Sequence, residues 1–242
     1  MKKRTYAFAT LLIFASISCS TTPDNKESGN TEPAASTDEW ISLFDGESTK
    51  GWREFNSDSL PENWVIEEET LKSLGTGDDI GGDIVYGERE FDNFELYIEW
   101  KIATAGNSGI LYHVKEGEKY KAPYESAPEY QLLDDIGYPD PLKDWQKLAA
   151  DYAMYVAPAD KPIKPAGEWN TSRIIFTTEK VSYFLNGIKV VEFVPWSDDW
   201  HERRKQGKWK DYEDYGKAKT GLIGLQDHGS FIWFKNIKIK EL

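Results

Sequence analysis

The sequence predicts an all-β protein, an antiparallel β-sandwich of the jelly-roll type. Apolar and polar residues alternate over nine positions in Phe94–Ile102, the pattern of a strand with one buried face. Two further alternating runs, Val181–Leu185 and Ile188–Phe193, flank Asn186-Gly187, a two-residue turn typical of a β-hairpin. Strands and helices do not alternate along the chain, which disfavours an α/β fold. These patterns together favour a sandwich of short antiparallel strands.

Further short runs have the residue composition of strands, and turn residues separate nearly all of them. They lie at 64–67, 83–86, 109–114, 128–135, 153–156, 172–178, 221–226 and 231–240. One short helix is predicted near 142–150. The segment 195–219 interrupts the strands with many charged residues. It could form a lid over a site, or a solvated excursion or surface helix.

The N-terminus has the features of an export signal. Lys2-Lys3-Arg4 precede an apolar run shorter than the roughly 20 residues that span a bilayer, so residues 1–18 are predicted to be a secretory signal peptide. Cys19 follows and resembles the acylated cysteine of a bacterial lipoprotein, with plain secretion as the alternative. Residues 19–37 are predicted to be a lipidated cysteine and flexible linker, and 38–242 one domain. We therefore expect an exported protein, periplasmic or anchored to the outer membrane only through this lipid.

The amino-acid composition indicates which binding partners and metal sites to expect. The formal net charge of −13 at pH 7 repels nucleic acid, so a nucleic-acid partner is not expected. The 10 Trp, 13 Tyr and 11 Phe residues could stack on sugar rings or pack in the core. Cys19 is the only cysteine in the sequence, so neither a disulfide nor a cysteine-ligated metal is expected in the domain.

Two segments place polar side chains on otherwise apolar strands. In the run at 128–135, alternation directs Glu129 and Gln131 to the face opposite the apolar residues. Gln226 closes the run at 221–226 in the same way, and His228 follows just past it. Each residue alone could be a solvated strand or turn residue. Together they indicate a polar working surface, with Glu129 and His228 as the catalytic candidates.

Other side chains could join this surface. His113 lies in a predicted strand, and histidine is the natural acid or base near neutral pH. Arg173 could reach a substrate oxygen or form a structural ion pair. Asp134 could bind substrate, and with Asp135 it could bind a divalent cation, although their spacing fits no dedicated calcium loop. The sequence contains no zinc-peptidase, phosphate-loop or dinucleotide motif, so peptidase, kinase and dehydrogenase functions are not supported.

Five short motifs occur in order from about residue 41 to the C-terminus. They are Leu43-Phe44-Asp45-Gly46 leading to Gly51-Trp52, Asn107-Ser108-Gly109-Ile110 with Tyr112-His113, Pro128-Glu129-Tyr130-Gln131-Leu132-Leu133-Asp134, Asn186-Gly187, and Gly224-Leu225-Gln226-Asp227-His228-Gly229 with Trp233-Phe234-Lys235-Asn236-Ile237. With these motifs the chain resembles the 3-keto-disaccharide hydrolase domain family. The resemblance implies a concanavalin A-like lectin or glucanase fold, whose sugar site lies on the concave face of a bent sheet and would be lined by Glu129, Gln131, Gln226 and His228.

The resemblance also implies a chemistry, the cleavage of glycosides already oxidised to a ketone at C3. A base removes the acidic proton at C2, the resulting enolate expels the substituent at C1, and water adds to the unsaturated sugar. Glu129 or His228 would be the base, while His113, Gln131 and Arg173 would hold the enolate or the sugar hydroxyls. A divalent metal bound by Glu129, His113 or His228 could instead polarise the ketone.

Two other functions stay open at this point. The first is ordinary glycoside hydrolysis by Glu129 with Asp134 or Glu99, which needs two carboxyl groups roughly 5 to 9 Å apart. Glu129 and Asp134 are expected on opposite strand faces, which disfavours that pair. The second is a non-catalytic carbohydrate-binding domain, because a fold does not decide a function.

Overall fold

In this computed structural model the described part of the chain, residues 39–76 and 82–242, forms thirteen β-strands. They are β1 Ile41–Ser42, β2 Trp52–Glu54, β3 Trp64–Glu67, β4 Thr70–Leu74, β5 Ile84–Tyr86, β6 Phe94–Ile102, β7 Asn107–Val114, β8 Glu129–Leu133, β9 Asn170–Phe176, β10 Val181–Leu185, β11 Ile188–Phe193, β12 Leu222–Leu225 and β13 Phe231–Glu241. One α-helix, α1, spans Asp198–Gln206, and short 3₁₀ helices lie at Pro123–Glu125, Asp144–Gln146 and Lys208–Asp211. The predicted signal peptide, lipidation site and linker at 1–37 lie outside the described residues.

The strands build two sheets. The larger sheet has the strand order β11-β10-β9-β6-β13-β4-β3, with β1 added beside β13, and the smaller has the order β2-β5-β12-β7-β8. Every strand pair in both sheets is antiparallel. The predicted antiparallel sandwich is confirmed.

The core lies between the inner faces of the two sheets. In β6 the residues strictly alternate between buried and half-buried, as the sequence pattern predicts. Three buried tyrosines form hydrogen bonds across the sandwich: the Tyr130 hydroxyl donates to the Phe184 carbonyl at 3.1 Å, and the Tyr112 and Tyr183 hydroxyls lie 2.8 Å apart. Because the inner faces carry these large side chains, the polar residues of the smaller sheet are left on its outer face.

Two hairpins differ in how well the local sequence predicts their turns. The turn between β10 and β11 has Asn186 at φ 47° and Gly187 at φ 84°, the left-handed conformations that this dipeptide favours. The turn between β3 and β4 uses Glu68 at φ 48° and Glu69 at φ 59°. Glutamate rarely adopts that conformation, so the sequence carries no turn signal there and β4 was not predicted.

Two predicted elements are wrong. The run at 153–156 is a turn, because the N–H groups of Met154 and Tyr155 both donate to the Asp151 carbonyl and Ala153 has φ 61°. The helix expected near 142–150 is reduced to the three-residue 3₁₀ helix Asp144–Gln146.

The charged segment 195–219 packs against the domain through buried aromatic residues. Ser197 caps α1, its side chain accepting a hydrogen bond from the Trp200 N–H at 3.3 Å. Trp200 and Trp209 are buried, and the rings of Trp209 and Tyr215 stack with centroids 4.1 Å apart. The surface helix among the alternatives is therefore present, and buried aromatic rings anchor it. Within the described ranges, no helix is long and apolar enough to cross a membrane.

Candidate active site

A cavity of about 250 Å³ opens on the outer face of the smaller sheet. Its lining side chains come from β7, β8, the turn after β12, two 3₁₀ helices and one loop. They are polar or aromatic: Asn107, Tyr124, Glu129, Gln131, Tyr152, Lys208, Gln226 and His228. Four residues predicted from the sequence, Glu129, Gln131, Gln226 and His228, are thus brought together in one place.

The alternation of β8 directs two of these side chains into the cavity. Tyr130 and Leu132 face the core, so Glu129 and Gln131 face outward. Both are nevertheless buried, with 4% and 2% of their surface exposed. Across the sheet Glu129 pairs with Leu111, but its side chain lies over Gly109, where a Cβ atom would come within 2.5 Å of the Glu129 carboxyl oxygen. Glycine at this position therefore makes room for the carboxyl group.

Burial changes the acidity of Glu129. Loss of solvent raises its pKa from 4.5 to about 7, and the nearby positive charge of Lys208 opposes that shift. A carboxyl group with a pKa near 7 exchanges a proton readily at neutral pH. Glu129 therefore has the properties of a general base or acid.

Gln131 is held by its neighbours. Its amide nitrogen donates to the Gln146 carbonyl at 3.1 Å and to the Asn107 side-chain oxygen at 3.3 Å. Its Oε1 atom is buried and has no hydrogen-bond partner in the described residues. An unpaired buried acceptor is costly and therefore uncommon, and here it lies beside the cavity.

The turn after β12 presents Gln226 and His228. The Gln226 N–H donates to the Gly109 carbonyl at 3.0 Å, and the Ser108 hydroxyl donates to the Gln226 carbonyl at 2.7 Å. The next residue, Asp227, is buried and its carboxylate accepts a hydrogen bond from the Asn63 amide at 2.5 Å. These hydrogen bonds hold Gln226 and Asp227 in place, and His228 follows directly after them.

Four lining residues were not predicted as site residues. Asn107 belongs to a motif noted in the sequence, and the other three do not. Lys208 belongs to the 3₁₀ helix Lys208–Asp211, Tyr124 to the one at Pro123–Glu125, and Tyr152 to the loop beside β8. The Lys208 Nζ atom lies 4.5 Å from the ring centre of Tyr152 and 5.5 Å from that of Tyr124. None of the three stands in a periodic or motif-like context. The one available signal was the charged connection at 195–219.

His113 does not reach the cavity, contrary to the expectation that it binds substrate or metal. A bulge in β7 gives His113 a φ of 56° and shifts the register with β12 between Leu222 and Gly224. The bulge turns its ring inward, against Phe94 and Phe176 with ring centres 5.7 and 4.3 Å away. Its Nε2 atom lies 2.9 Å from the Asp92 carbonyl, and burial lowers its pKa.

Arg173 and Asp134 are also placed elsewhere. Arg173 lies on the outer face of the larger sheet, where it pairs with Glu95 at 3.1 Å and stacks on Phe184. Of the alternatives open from the sequence, the structural ion pair is the one observed. Asp134 follows β8 and accepts hydrogen bonds from the main-chain N–H groups of Ala105 at 2.9 Å and Gly137 at 3.0 Å. Its carboxylate shapes a loop and does not line the cavity.

The metal suggested for Asp134 and Asp135 has no matching ligand set there. Asp135 forms a buried ion pair with Lys161 at 2.7 Å and accepts a hydrogen bond from the Leu148 N–H at 2.7 Å. Over residues 39–76 and 82–242, no group of three or more His, Cys, Asp and Glu side chains is arranged to hold a metal ion.

Comparisons with known proteins identify relatives of this chain. A curated relative from Bacteroides thetaiotaomicron, named 3-keto-disaccharide hydrolase, is 35% identical over 230 residues, which cover 85% of this chain and 79% of the relative. A crystal structure of a candidate glycosyl hydrolase from Parabacteroides distasonis has a TM-score of 0.78 and 43% identity, covering 84% of this chain and 94% of its own. A second such structure from the same organism has a TM-score of 0.64 and 30% identity, covering 84% and 100%.

The prediction of a glycoside-cleaving hydrolase is thereby confirmed, as is the family recognised from the sequence motifs. The family model matches residues 39–240, nearly the whole described part of the chain. The chain therefore belongs to the 3-keto-alpha-glucoside-1,2-lyase-like domain family.

Proposed function

We propose that the protein cleaves 3-keto-glycosides by proton abstraction at C2, elimination at C1 and hydration. The observation that carries the proposal is the content of the cavity. Among the described residues that line it, Glu129 is the one carboxylate, its pKa is raised to about 7, and a lysine stands beside it. One base and one cation suit enolate chemistry better than a pair of glycosidase carboxyls does.

Each step can be assigned to a lining residue. The Glu129 carboxylate takes the C2 proton, and the electron pair moves onto the C3 oxygen. The Lys208 ammonium and the Gln226 amide stabilise this enolate, while the Oε1 atom of Gln131, whose amide nitrogen is already engaged, accepts a hydrogen bond from a sugar hydroxyl. When the enolate collapses, the C1–O bond breaks and His228 gives a proton to the leaving oxygen.

Hydration then completes the reaction. Water adds its oxygen to C1 of the unsaturated keto-sugar, one of the water protons passes to His228 and restores it, and C2 regains a proton from Glu129. The net change is hydrolysis of the glycosidic bond without an oxocarbenium ion, and Glu129 returns to its starting form. The tyrosines of the cavity, Tyr124 and Tyr152, offer aromatic faces against which the sugar ring packs.

Ordinary glycoside hydrolysis has weaker support. The partners considered for Glu129 are engaged elsewhere: Asp134 binds main-chain N–H groups, and Glu99 is on the larger sheet, where it accepts a hydrogen bond from Asn236. A carbohydrate-binding domain without catalysis would need no carboxyl group with a raised pKa. These three functions differ in which substrate, if any, the protein cleaves.

The test compares a disaccharide with its 3-keto derivative, with and without a chelator, and follows sugar release. Release from the keto-sugar alone supports the proposal, and its loss in Glu129→Gln assigns the base. Release from the unoxidised sugar would indicate ordinary hydrolysis, and no release from either would indicate a binding domain. Loss of activity with chelator, restored by added divalent metal, would place a metal in the reaction.

We further propose that the protein works outside the cytoplasm. The support is the sequence pattern of residues 1–18 and Cys19, followed by a polar linker to residue 37. In cells fed labelled palmitate, the protein should become labelled and fractionate with membranes, whereas Cys19→Ala should do neither. Labelling that persists in Cys19→Ala would contradict the lipid anchor.

A further inference from the structure

A second cavity, of about 500 Å³, lies on the outer face of the larger sheet, on the other side of the sandwich from the candidate active site. Its lining combines two tryptophans with charged and amide side chains. The lining residues include Phe44, Asp45, Glu68, Glu69, Lys101, Trp169, Trp233, Lys235 and Asn236. The volume falls in the range of roughly 300 to 1,000 Å³ that is usual for small-ligand sites.

The floor of this second cavity is a row of side chains across adjacent strands. Lys101 on β6 pairs with Trp233 on β13, and Trp169 comes directly before β9 on the other side of β6. The Lys101 Nζ atom is 4.6 Å from the ring centre of Trp233 and 5.3 Å from that of Trp169. Both tryptophans are half-buried, so each keeps part of its surface in contact with solvent.

The charged side chains that line the second cavity indicate which net charge its ligand should have. Three carboxylates, those of Asp45, Glu68 and Glu69, and two ammonium groups, those of Lys101 and Lys235, belong to the lining of this cavity. Such a balance attracts neither strong anions nor strong cations. It does supply hydrogen-bond acceptors and donors beside aromatic surface, which is the set of groups that a neutral sugar needs.

Two motifs singled out in the sequence converge here, away from the candidate active site. Asp45 and Gly46 belong to the segment Leu43-Phe44-Asp45-Gly46, and Lys235 and Asn236 to the segment 233–237. Leu43, Phe44, Phe234 and Ile237 are buried, and the Leu43 N–H donates to the Ile237 carbonyl at 2.8 Å. Packing explains these apolar members. The polar members line the cavity while holding local contacts: the Asp45 carboxylate accepts hydrogen bonds from the Glu47 and Ser48 N–H groups, and the Asn236 amide donates to Glu99 at 2.9 Å.

We propose that this second cavity is a carbohydrate-binding site that holds a neutral oligosaccharide. It would keep the enzyme on a glycan while the first cavity acts on a sugar unit. The inference goes beyond the proposed reaction, because it requires binding and no turnover.

The test measures binding of maltotetraose, cellotetraose and laminaritetraose to the full chain by calorimetry. We expect at least one to bind, with affinity at least tenfold lower in Trp169→Ala/Trp233→Ala. Glu129→Gln and Trp40→Ala should bind as the wild type does, since the first alters only the candidate active site and the second a tryptophan outside the cavity. This control separates failure of the second site from failure of the proposed reaction.

A milder single substitution tests the same cavity in case the double variant misfolds. Asn236 has φ 49°, so Asn236→Gly preserves the backbone while removing an amide from the cavity. A folded Asn236→Gly should also bind more weakly. Absence of binding to all three tetrasaccharides in the wild type, or unchanged affinity in both folded variants, would overturn the proposal.

Discussion

The main-chain N–H of Asp227 donates a hydrogen bond of 2.9 Å to the Oδ1 atom of Asp83. Both residues are buried, and Asp227 stands between Gln226 and His228, which line the candidate active site. A residue just before β5 therefore holds the turn that presents the catalytic candidate His228. This relationship joins parts of the chain 144 positions apart.

Asp83 should tolerate an amide but not the loss of its oxygen. Burial raises the pKa of Asp83 well above its ordinary value, so a neutral side chain suits the site. We expect Asp83→Asn to keep thermal stability and activity. Asp83→Ala leaves a buried N–H unpaired and should cost about 1 to 3 kcal/mol in the free energy of unfolding. Urea unfolding and turnover of both variants check this, and equal behaviour of the two would contradict it.

The pH dependence of turnover should report Glu129. Because its pKa is about 7, the carboxylate form that acts as the base increases as the pH rises through 7. We expect kcat/KM for the keto-sugar to fall about tenfold per pH unit well below pH 7. Glu129→Gln should lose at least a hundredfold in kcat. A profile that is flat between pH 5 and 8 would exclude Glu129 as the base.

The same carboxyl group should make the protein less stable at higher pH. The folded chain holds the Glu129 proton up to about pH 7, whereas the unfolded chain releases it near 4.5, so stability falls as the pH rises between these values. Glu129→Gln removes this penalty. At pH 8 the variant should gain up to about 3 kcal/mol over the wild type, relative to the same comparison at pH 4. Urea titrations at both pH values measure the difference, and no gain would contradict burial of the charge.

Lys208 should matter both to rate and to the pH profile. Replacing it with Met removes the cation beside Glu129, so kcat should fall by at least tenfold and the midpoint of the pH profile should move upward. Lys210→Met is a matched control in the same 3₁₀ helix, where Lys210 is exposed and pairs with Asp211 at 3.9 Å. Similar kinetics for the two variants would remove Lys208 from the mechanism.

His113 should act in stability and not in catalysis. Its ring fills space between Phe94 and Phe176, so His113→Ala should cost about 2 kcal/mol or more in the free energy of unfolding. At a temperature where the variant is folded, kcat should stay within a few-fold of the wild type. His201→Ala, at an exposed position on α1, serves as the control and should change neither quantity. A loss of kcat without a loss of stability in His113→Ala would contradict this assignment.

Local periodicity by itself determined the fold class and half of the candidate active site. Alternation in β6 predicted its buried face, Asn186-Gly187 predicted a hairpin, and alternation in β8 predicted the shared face of Glu129 and Gln131. These features depend on strand geometry and on turn conformation, which neighbouring residues specify.

Only the tertiary structure decided the rest. The bulge that turns His113 inward arises from the register between β7 and β12, and Lys208 reaches Glu129 because buried tryptophans anchor its segment. The raised pKa of Glu129 has the same origin, because it depends on how much water the surrounding loops exclude. Register, burial and electrostatic field are properties of contacts between distant parts of the chain, and no local pattern encodes them.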